Sequence, residues 1–445
     1  MKKFLALALA LLAMNAGAFG QQASQKPPSA PPPAAPAGAA PIPVTPANAS
    51  AHITLDEAIR LALQHNHALQ AVRSTILISQ ADEITANLRP NPTISWDSQF
   101  FPLFHPDQFN SDYLANQAQF DLGIGYLFER GKKRQHRLQA AKDATAVVRS
   151  QATDSERQLV FNVAQQFIAV LLAESMLDFA QKDLDSFQQT VSISESRFKI
   201  GDMSEGDYLK IKLQLLQFQT DVSGAQLAKV QALAALRQLL GFDSVPDNYV
   251  CDGDLSYESV HGNVEDLKAL ALRSRPDLTA AILGVSAARS QEALAEANGK
   301  RDIGASFAYT HTAGQSSGAF FFSMDLPIFD RNQGNIAHAR YAVTQAQEQA
   351  SEAAEQVMTD VTDAFESLKT NEKIIQLYQG GYVDQAKQSR DISEYAYKRG
   401  AASLLDFLDA ERTYRSNQLA YRQALASYMA AVEQMRQAVG TRNLP

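Results

Sequence analysis

The sequence predicts a mixed α+β fold, written twice in one chain, that joins membrane-length β-strands to very long α-helical hairpins. Three observations carry that reading. One motif recurs at a fixed offset across two halves of about 200 residues each. Strictly alternating apolar segments occur at matching places in both halves. Two stretches, 131–200 and 332–399, contain no proline and run far beyond the length of an ordinary helix.

Lys2 and Lys3 precede an apolar run from Phe4 to Met14, and small residues follow. Ala16-Gly17-Ala18 and Ala18-Phe19-Gly20 both fit a signal-peptidase site, so residues 1–20 read as a secretory signal cleaved after Ala18 or Gly20. A membrane anchor needs roughly 20 apolar residues, more than this run supplies. No cysteine lies nearby to accept a lipid. Residues 21–53, rich in Pro and Ala, form a predicted disordered leader, and folding is expected to begin near Thr54. Cleavage removes Lys2 and Lys3 and takes the formal charge from −8 to −10. A mildly acidic chain without basic clusters is a poor partner for nucleic acid. Cys251 is the only cysteine, so no internal disulfide forms, and no zinc-type spacing is present. It reads as a small buried apolar residue. Beyond the signal no apolar stretch approaches the roughly 18 residues of a spanning helix. An exported chain of that kind either stays soluble or enters a membrane as a β-barrel.

The first copy covers 54–241. Thr54 and Glu57 make a capping box for a helical segment that Arg89-Pro90-Asn91-Pro92 ends. Strands are predicted near 92–102 and 118–128. Ile94, Trp96, Ser98 and Phe100 share one face. Phe120, Leu122, Ile124, Tyr126 and Phe128 oppose Asp121, Gly123 and Gly125. Strands of about 9–11 residues cross a bilayer when tilted, and an apolar face against a polar one suits lipid outside and water inside. A hairpin over 131–240 follows. Its first arm carries Val163, Val170, Leu177, Leu184, Val191 and Phe198 every seven residues, a coiled-coil seam. Gly201 supplies the left-handed residue that closes the arm, and Ser204 starts the return helix.

Residues 242–263 read as a linker, and the second copy covers 264–441 with a tail at 442–445. Strands are expected near 302–311, with Ile303, Ala305, Phe307 and Tyr309 on one face, and near 319–328, with Phe320, Phe322, Met324, Leu326 and Ile328. The hairpin over 332–439 turns at Gly400 and restarts at Ser403. The repeat is explicit at these turns. Phe198-Lys199-Ile200-Gly201-Asp202-Met203-Ser204-Glu205-Gly206-Asp207-Tyr208-Leu209 matches Tyr397-Lys398-Arg399-Gly400-Ala401-Ala402-Ser403-Leu404-Leu405-Asp406-Phe407-Leu408 at an offset of 199.

Four strands cannot close a barrel, because open edges in lipid leave backbone groups unsatisfied, so the chain must oligomerise. The repeated turn motif, the helix–strand–strand–hairpin order and the segment Pro327-Ile328-Phe329-Asp330-Arg331-Asn332-Gln333-Gly334-Asn335-Ile336 resemble the TolC-like outer-membrane efflux factors. That last segment is similar to the cobalt–zinc–cadmium cation efflux branch. The resemblance spans about 54–441. It implies a homotrimer in the outer membrane whose four strands per chain complete a twelve-stranded β-barrel above a periplasmic α-barrel. It also implies a periplasmic adaptor (membrane fusion protein) and an inner-membrane RND-type pump as partners, outer-membrane lipid around the barrel, and a passive duct for expelled substrates with no enzymatic activity.

Asp406 and Asp409 lie on one helix face at i, i+3, just past Gly400. The resemblance implies that this face lines the pore as an acidic ring that attracts cations at the periplasmic gate. Ser403 with Asp406, and Ser204 with Asp207, are also helix-start patterns that account for one acid in each copy. Only the second copy has a further acid; the first has Leu209-Lys210-Ile211 there. Tyr397 and Asp207 match a family contact that tethers the closed gate. A second family contact falls on Ala402 and Gly206, which lack the side chains for it. His65, His67, His105, His136, His261, His311 and His338 lack metal-ligand spacing, and Arg130-Gly131-Lys132-Lys133-Arg134 reads as a solvated helix start. No metal site, cofactor site or catalytic set is predicted. The competing readings are a soluble periplasmic coiled-coil adaptor or scaffold and a secreted hydrolase with helical decoration.

Overall fold

The computed structural model describes residues 51–102, 104–260 and 262–443. The signal, the leader up to residue 50, His261 and the end of the tail lie outside these. The chain orders earlier than the predicted leader allows. Strand β1 (His52–Ile53) pairs in parallel with β4 (Val250–Cys251), joined by Val250 N to Ala51 O and Asp252 N to Ile53 O at 2.9 Å each. The segment 242–263 is thus no plain linker, because its strand pairs with His52–Ile53, and Ile53 and Cys251 are buried there.

In the first copy α1 (Leu55–His65) is capped by Thr54, and Asn66 separates it from α2 (His67–Ala86) while capping it through Leu69 N. β2 (Thr93–Gln99), a short α3 (Ser111–Asn116) and β3 (Gln119–Phe128) follow. α4 (Lys133–Lys199) has 67 residues, roughly 100 Å at 1.5 Å per residue. α5 (Glu205–Leu240) returns along it. The second copy repeats the order as α6 (Val264–Ser274), α7 (Pro276–Asn298), β5 (Ile303–Thr312), β6 (Gln315–Ser323), α8 (Gln333–Leu377), α9 (Val383–Lys398) and α10 (Leu404–Val439).

Two expectations change here. β6 begins and ends earlier than 319–328. Ala313 and Gly314, both at positive φ (52° and 76°), form a two-residue turn that pairs Thr312 with Gln315 and fixes the register. Met324, Leu326 and Ile328 therefore fall beyond the strand and stay exposed. The second long arm is also not one helix. Between α8 and α9 lies a π-helical stretch, Tyr378–Tyr382, where Gly381 takes φ 101°. Glycine tolerates that angle, so an arm without proline still breaks at Gly380-Gly381.

The sheet is antiparallel in the order β2-β3-β5-β6. Its register aligns Trp96 with Leu122, Leu122 with Tyr309, Ile124 with Phe307 and Phe307 with Phe320. One face is therefore apolar from edge to edge and fully outward, with Trp96 73 % and Phe320 75 % exposed. The opposite face presents Asp97, Asp121, Ser306, Thr310 and Ser317. β2 and β6 each leave one edge unpaired within the chain.

The core lies between the helices instead. Leu159, Val163 and Phe167 of α4 pack on Ala58 and Ala62 of α1 and on Leu236 and Leu240 of α5. Val357, Val361 and Phe365 of α8 pack in the same way on Leu267 and Ala271 of α6 and on Met435 and Val439 of α10. The two copies bury equivalent positions. One window of α4 is apolar enough to pass for a membrane span, contrary to the sequence reading, yet Val163, Phe167, Ile168, Val170 and Leu171 within the helix are buried. The heptad seam is buried at Val163 and Val170 and fades toward the turn, where Phe198 is exposed.

Candidate functional site

Both hairpin turns are built from the same local chemistry. Gly201 (φ 81°) and Gly400 (φ 74°) follow the last helical residues, and Asp202 N and Ala401 N bond back to Arg197 O and Ala396 O at 2.9 and 2.8 Å. Those carbonyls lack partners inside the helix, which is why a left-handed glycine is placed there. Ser204 and Ser403 then cap α5 and α10, accepting from Asp207 N and Asp406 N at 3.1 and 3.2 Å.

The four predicted gate residues fall around these turns. Asp406 completes a capping box: its carboxylate accepts from Ser403 Oγ at 2.7 Å and from Ser403 N at 3.3 Å. Asp409, one turn on, pairs with Arg412 at 2.6 Å. Both are exposed and lie on one helix face. Asp207 accepts from Lys210 at 3.0 Å and from Ser204 at 2.9 Å, and these bonds hold its carboxyl below the usual range. Tyr397 is buried. Its hydroxyl lies 3.3 Å from Ser194 Oγ, and its ring stacks on Phe407 at 5.3 Å. Among the described residues no hydrogen bond joins Tyr397 to Asp207, so the predicted tether is replaced by the Ser194 contact. Arg197 adds a link that sequence reasoning missed, donating from α4 to the carbonyls of Tyr397 and Lys398 at 3.1 and 2.6 Å. A cation over the carboxyl end of α9 also suits its dipole.

Behind the turns an aromatic stack crosses all four hairpin arms. Phe218 of α5 stacks on Phe187 of α4 at 4.5 Å, Phe187 on Phe407 of α10 at 6.3 Å, and Phe407 on Tyr397 of α9.

Residues 58–242 and 267–441 match the outer membrane efflux protein family, one segment for each structural copy. The chain belongs to that family. This efflux protein is 23 % identical to the cobalt-zinc-cadmium resistance protein CzcC of Cupriavidus metallidurans, over 88 % of this chain and 91 % of that one. It is 26 % identical to the cation efflux system protein CusC of Escherichia coli K12, over 57 % of this chain and 58 % of that one. A crystal structure of a membrane protein from Pseudomonas aeruginosa has the same fold, with a TM-score of 0.73, 19 % identity and coverage of 87 % of this chain and 92 % of that one.

The efflux protein is an outer-membrane channel, and the soluble adaptor reading falls away; the family it belongs to consists of transport channels, not hydrolases. One sequence reading of its membrane edge is corrected. The basic run is not a solvated helix start: Lys133 is buried and bonds Asp302 at 2.8 Å, while Arg130 N donates to the same carboxylate at 2.9 Å. The segment similar to the cation branch is a strand-to-helix turn. Asn332 sits at φ 64°, donates its backbone amide to Asp330 Oδ1 at 2.7 Å and its side-chain amide to Ala295 O at 2.7 Å. Among the described residues no group of three His, Cys, Asp or Glu side chains is arranged to hold a metal.

Proposed function

We propose that the efflux protein works as a homotrimer whose sheets join into a twelve-stranded barrel in the outer membrane. The carrying observation is the open four-stranded sheet: one apolar face is fully outward and both edges are unpaired. Unpaired edges cannot stand in lipid, and β6 of one copy meeting β2 of the next removes them. The polar face then lines a wet lumen, and the long hairpins continue it into the periplasm. There the turns meet a periplasmic adaptor and, through it, an inner-membrane pump that supplies the energy.

Asp406 and Asp409 form the gate's acidic ring, three copies of one helix face around the axis, with Asp207 and Tyr397 at the neighbouring turns. Metal cations are the proposed cargo class, supported by the likeness to CzcC and CusC. The decisive experiment purifies the full chain in detergent, measures its mass, and records conductance in a planar bilayer with and without divalent cations. A trimeric mass and a cation-blocked pore are expected. A monomeric, non-conducting particle would sink the proposal.

A further inference from the structure

The cations around the sheet all gather at one of its ends. No Lys or Arg occurs from Pro90 to Glu129 or from Asp302 to Asp330, so the four strands, the loop 100–118 and the Ala313-Gly314 turn carry none. The loop end holds Asp107 and Asp112 instead. At the helical end stand Arg89 before β2, Arg130 and Lys132 after β3, Lys300 and Arg301 before β5, and Arg331 after β6.

These segments touch one another although the sequence scatters them. Arg137 of α4 donates to the Leu88 carbonyl at 3.3 Å, and Arg130 N donates to Asp302 at 2.9 Å. A Cβ on Gly131 would meet the Lys300 side chain at 2.6 Å, and one on Gly299 would meet the Arg331 carbonyl oxygen at 3.0 Å. The acids among them are already engaged. Glu129 pairs with Arg137 and Asp302 with Lys133, both of α4, while Asp330 accepts from the Asn332 amide. Among the described residues none of the six cations has an acid within ion-pair distance.

Register places two of them side by side. Phe128 pairs with Ile303 on the apolar face. Two residues further on in β3 and two residues back in β5, the same alternation reaches Arg130 opposite Arg301, at the next position of that face. Glu129 and Asp302 take the other parity and are bonded to α4. Like charges directly across a strand pair repel, and Arg301 Nε is buried with no acceptor. Both features ask for an anion. Exposed apolar side chains border the same cations: Leu88 beside Arg89, Phe128 close to Arg130, and Ile328 and the 90 % exposed Phe329 just before Arg331. Cations one step beyond an apolar band suit a membrane interface, where their stems lie along hydrocarbon and their heads reach phosphate.

We propose that this rim binds anionic phospholipid headgroups of the periplasmic leaflet, with a phosphate between Arg130 and Arg301, an assignment that rests on the barrel reading because only there does the apolar face meet lipid. The hairpins extend from the same end of the sheet, so the cations lie on the periplasmic side. The opposite end has no cation to offer a headgroup. Each basic residue at an anionic surface strengthens the attraction by about fivefold.

The test purifies the full chain in mild detergent and adds phosphatidylglycerol or phosphatidylethanolamine at equal concentration, reading the bound lipid by native mass spectrometry. The trimer is expected to retain phosphatidylglycerol several-fold better. Arg130→Gln with Arg301→Gln should cut that preference by at least about fivefold. Lys132→Gln with Arg331→Gln should lower it in the same sense and carries the test if the first pair fails to assemble. Lys182→Gln with Lys199→Gln, at exposed positions on α4 away from the rim, should leave it unchanged. Inorganic phosphate should not displace the lipid. A trimer that holds both lipids equally, rim variants that keep the wild-type preference, or displacement by inorganic phosphate would each overturn the lipid assignment alone. A monomeric mass in the same spectra would remove the barrel, and this belt with it.

Discussion

Gly201 and Gly400 sit at positive φ with nothing within 4 Å of where a Cβ would stand, whereas a Cβ at Gly241 would meet the His65 carbonyl oxygen at 2.9 Å. Gly201→Ala should therefore cost only the left-handed backbone term, about 1–2 kcal/mol, and Gly241→Ala distinctly more. Denaturant unfolding in detergent ranks the two, and the reverse order would contradict this account. If Asp406 and Asp409 ring the pore as proposed, the charge there is tunable for a similarly local reason. Arg412 half-neutralises Asp409, so Arg412→Ala should strengthen divalent-cation block of the pore. Asp406→Asn with Asp409→Asn should weaken it by about tenfold or more in planar-bilayer recordings. Features of this kind were legible in the sequence because their partners are near neighbours: Ser403 with Asp406, Ser204 with Asp207, a glycine with the helix it ends. Arg130 and Arg301 were not. They stand in different copies, where an isolated cation beside a strand signals nothing, and only the pairing of β3 with β5 brings them together.

The elements were read most accurately where periodicity and punctuation agree. The Pro90–Pro92 stop, the alternation in β3 and the serine starts of α5 and α10 each have one local cause. Periodicity alone misled at β6: alternation continues through Met324, Leu326 and Ile328, but the Ala313-Gly314 turn sets the register, and Ser323 is the last paired residue. It also hid the break in the second arm, where helix-forming neighbours surround Gly380-Gly381. What holds the broken arm in line is the aromatic stack across the hairpins. Phe407→Ala should remove about 3–5 kcal/mol, since Phe407 is buried between Phe187 and Tyr397. Phe198→Ala removes the first copy's counterpart of Tyr397, which is exposed and stacks only on Tyr208, and should cost much less. Hydrogen exchange separates them, with faster exchange along α9 and α10 expected for Phe407→Ala alone. Equal protection in both variants would show that the stack does not hold the hairpins together.

At the scale of the whole molecule, the same 4-stranded sheet must satisfy two solvents. Phe320 and Ser317 both belong to β6, three residues apart, but alternation turns them to opposite faces. Phe320 pairs with Phe307 on the apolar face, and Ser317 pairs with Thr310 on the polar one. If trimerisation closes the sheets into a barrel, Phe320 faces hydrocarbon and Ser317 faces the lumen. A lysine facing lipid near the bilayer centre costs about 2–4 kcal/mol, while one in a wet lumen costs little. Phe320→Lys should therefore cut the yield of heat-resistant trimer from the outer membrane strongly, and Ser317→Lys should assemble normally and change only conductance or ion selectivity. A soluble sheet would give a different pattern: an exposed lysine would be harmless on either face, because both faces of the isolated sheet are open. Equal assembly of the two variants would thus remove the barrel. Unequal assembly in the opposite sense would turn it inside out, placing Asp97 and Asp121 of the polar face toward lipid, where a carboxylate is costly.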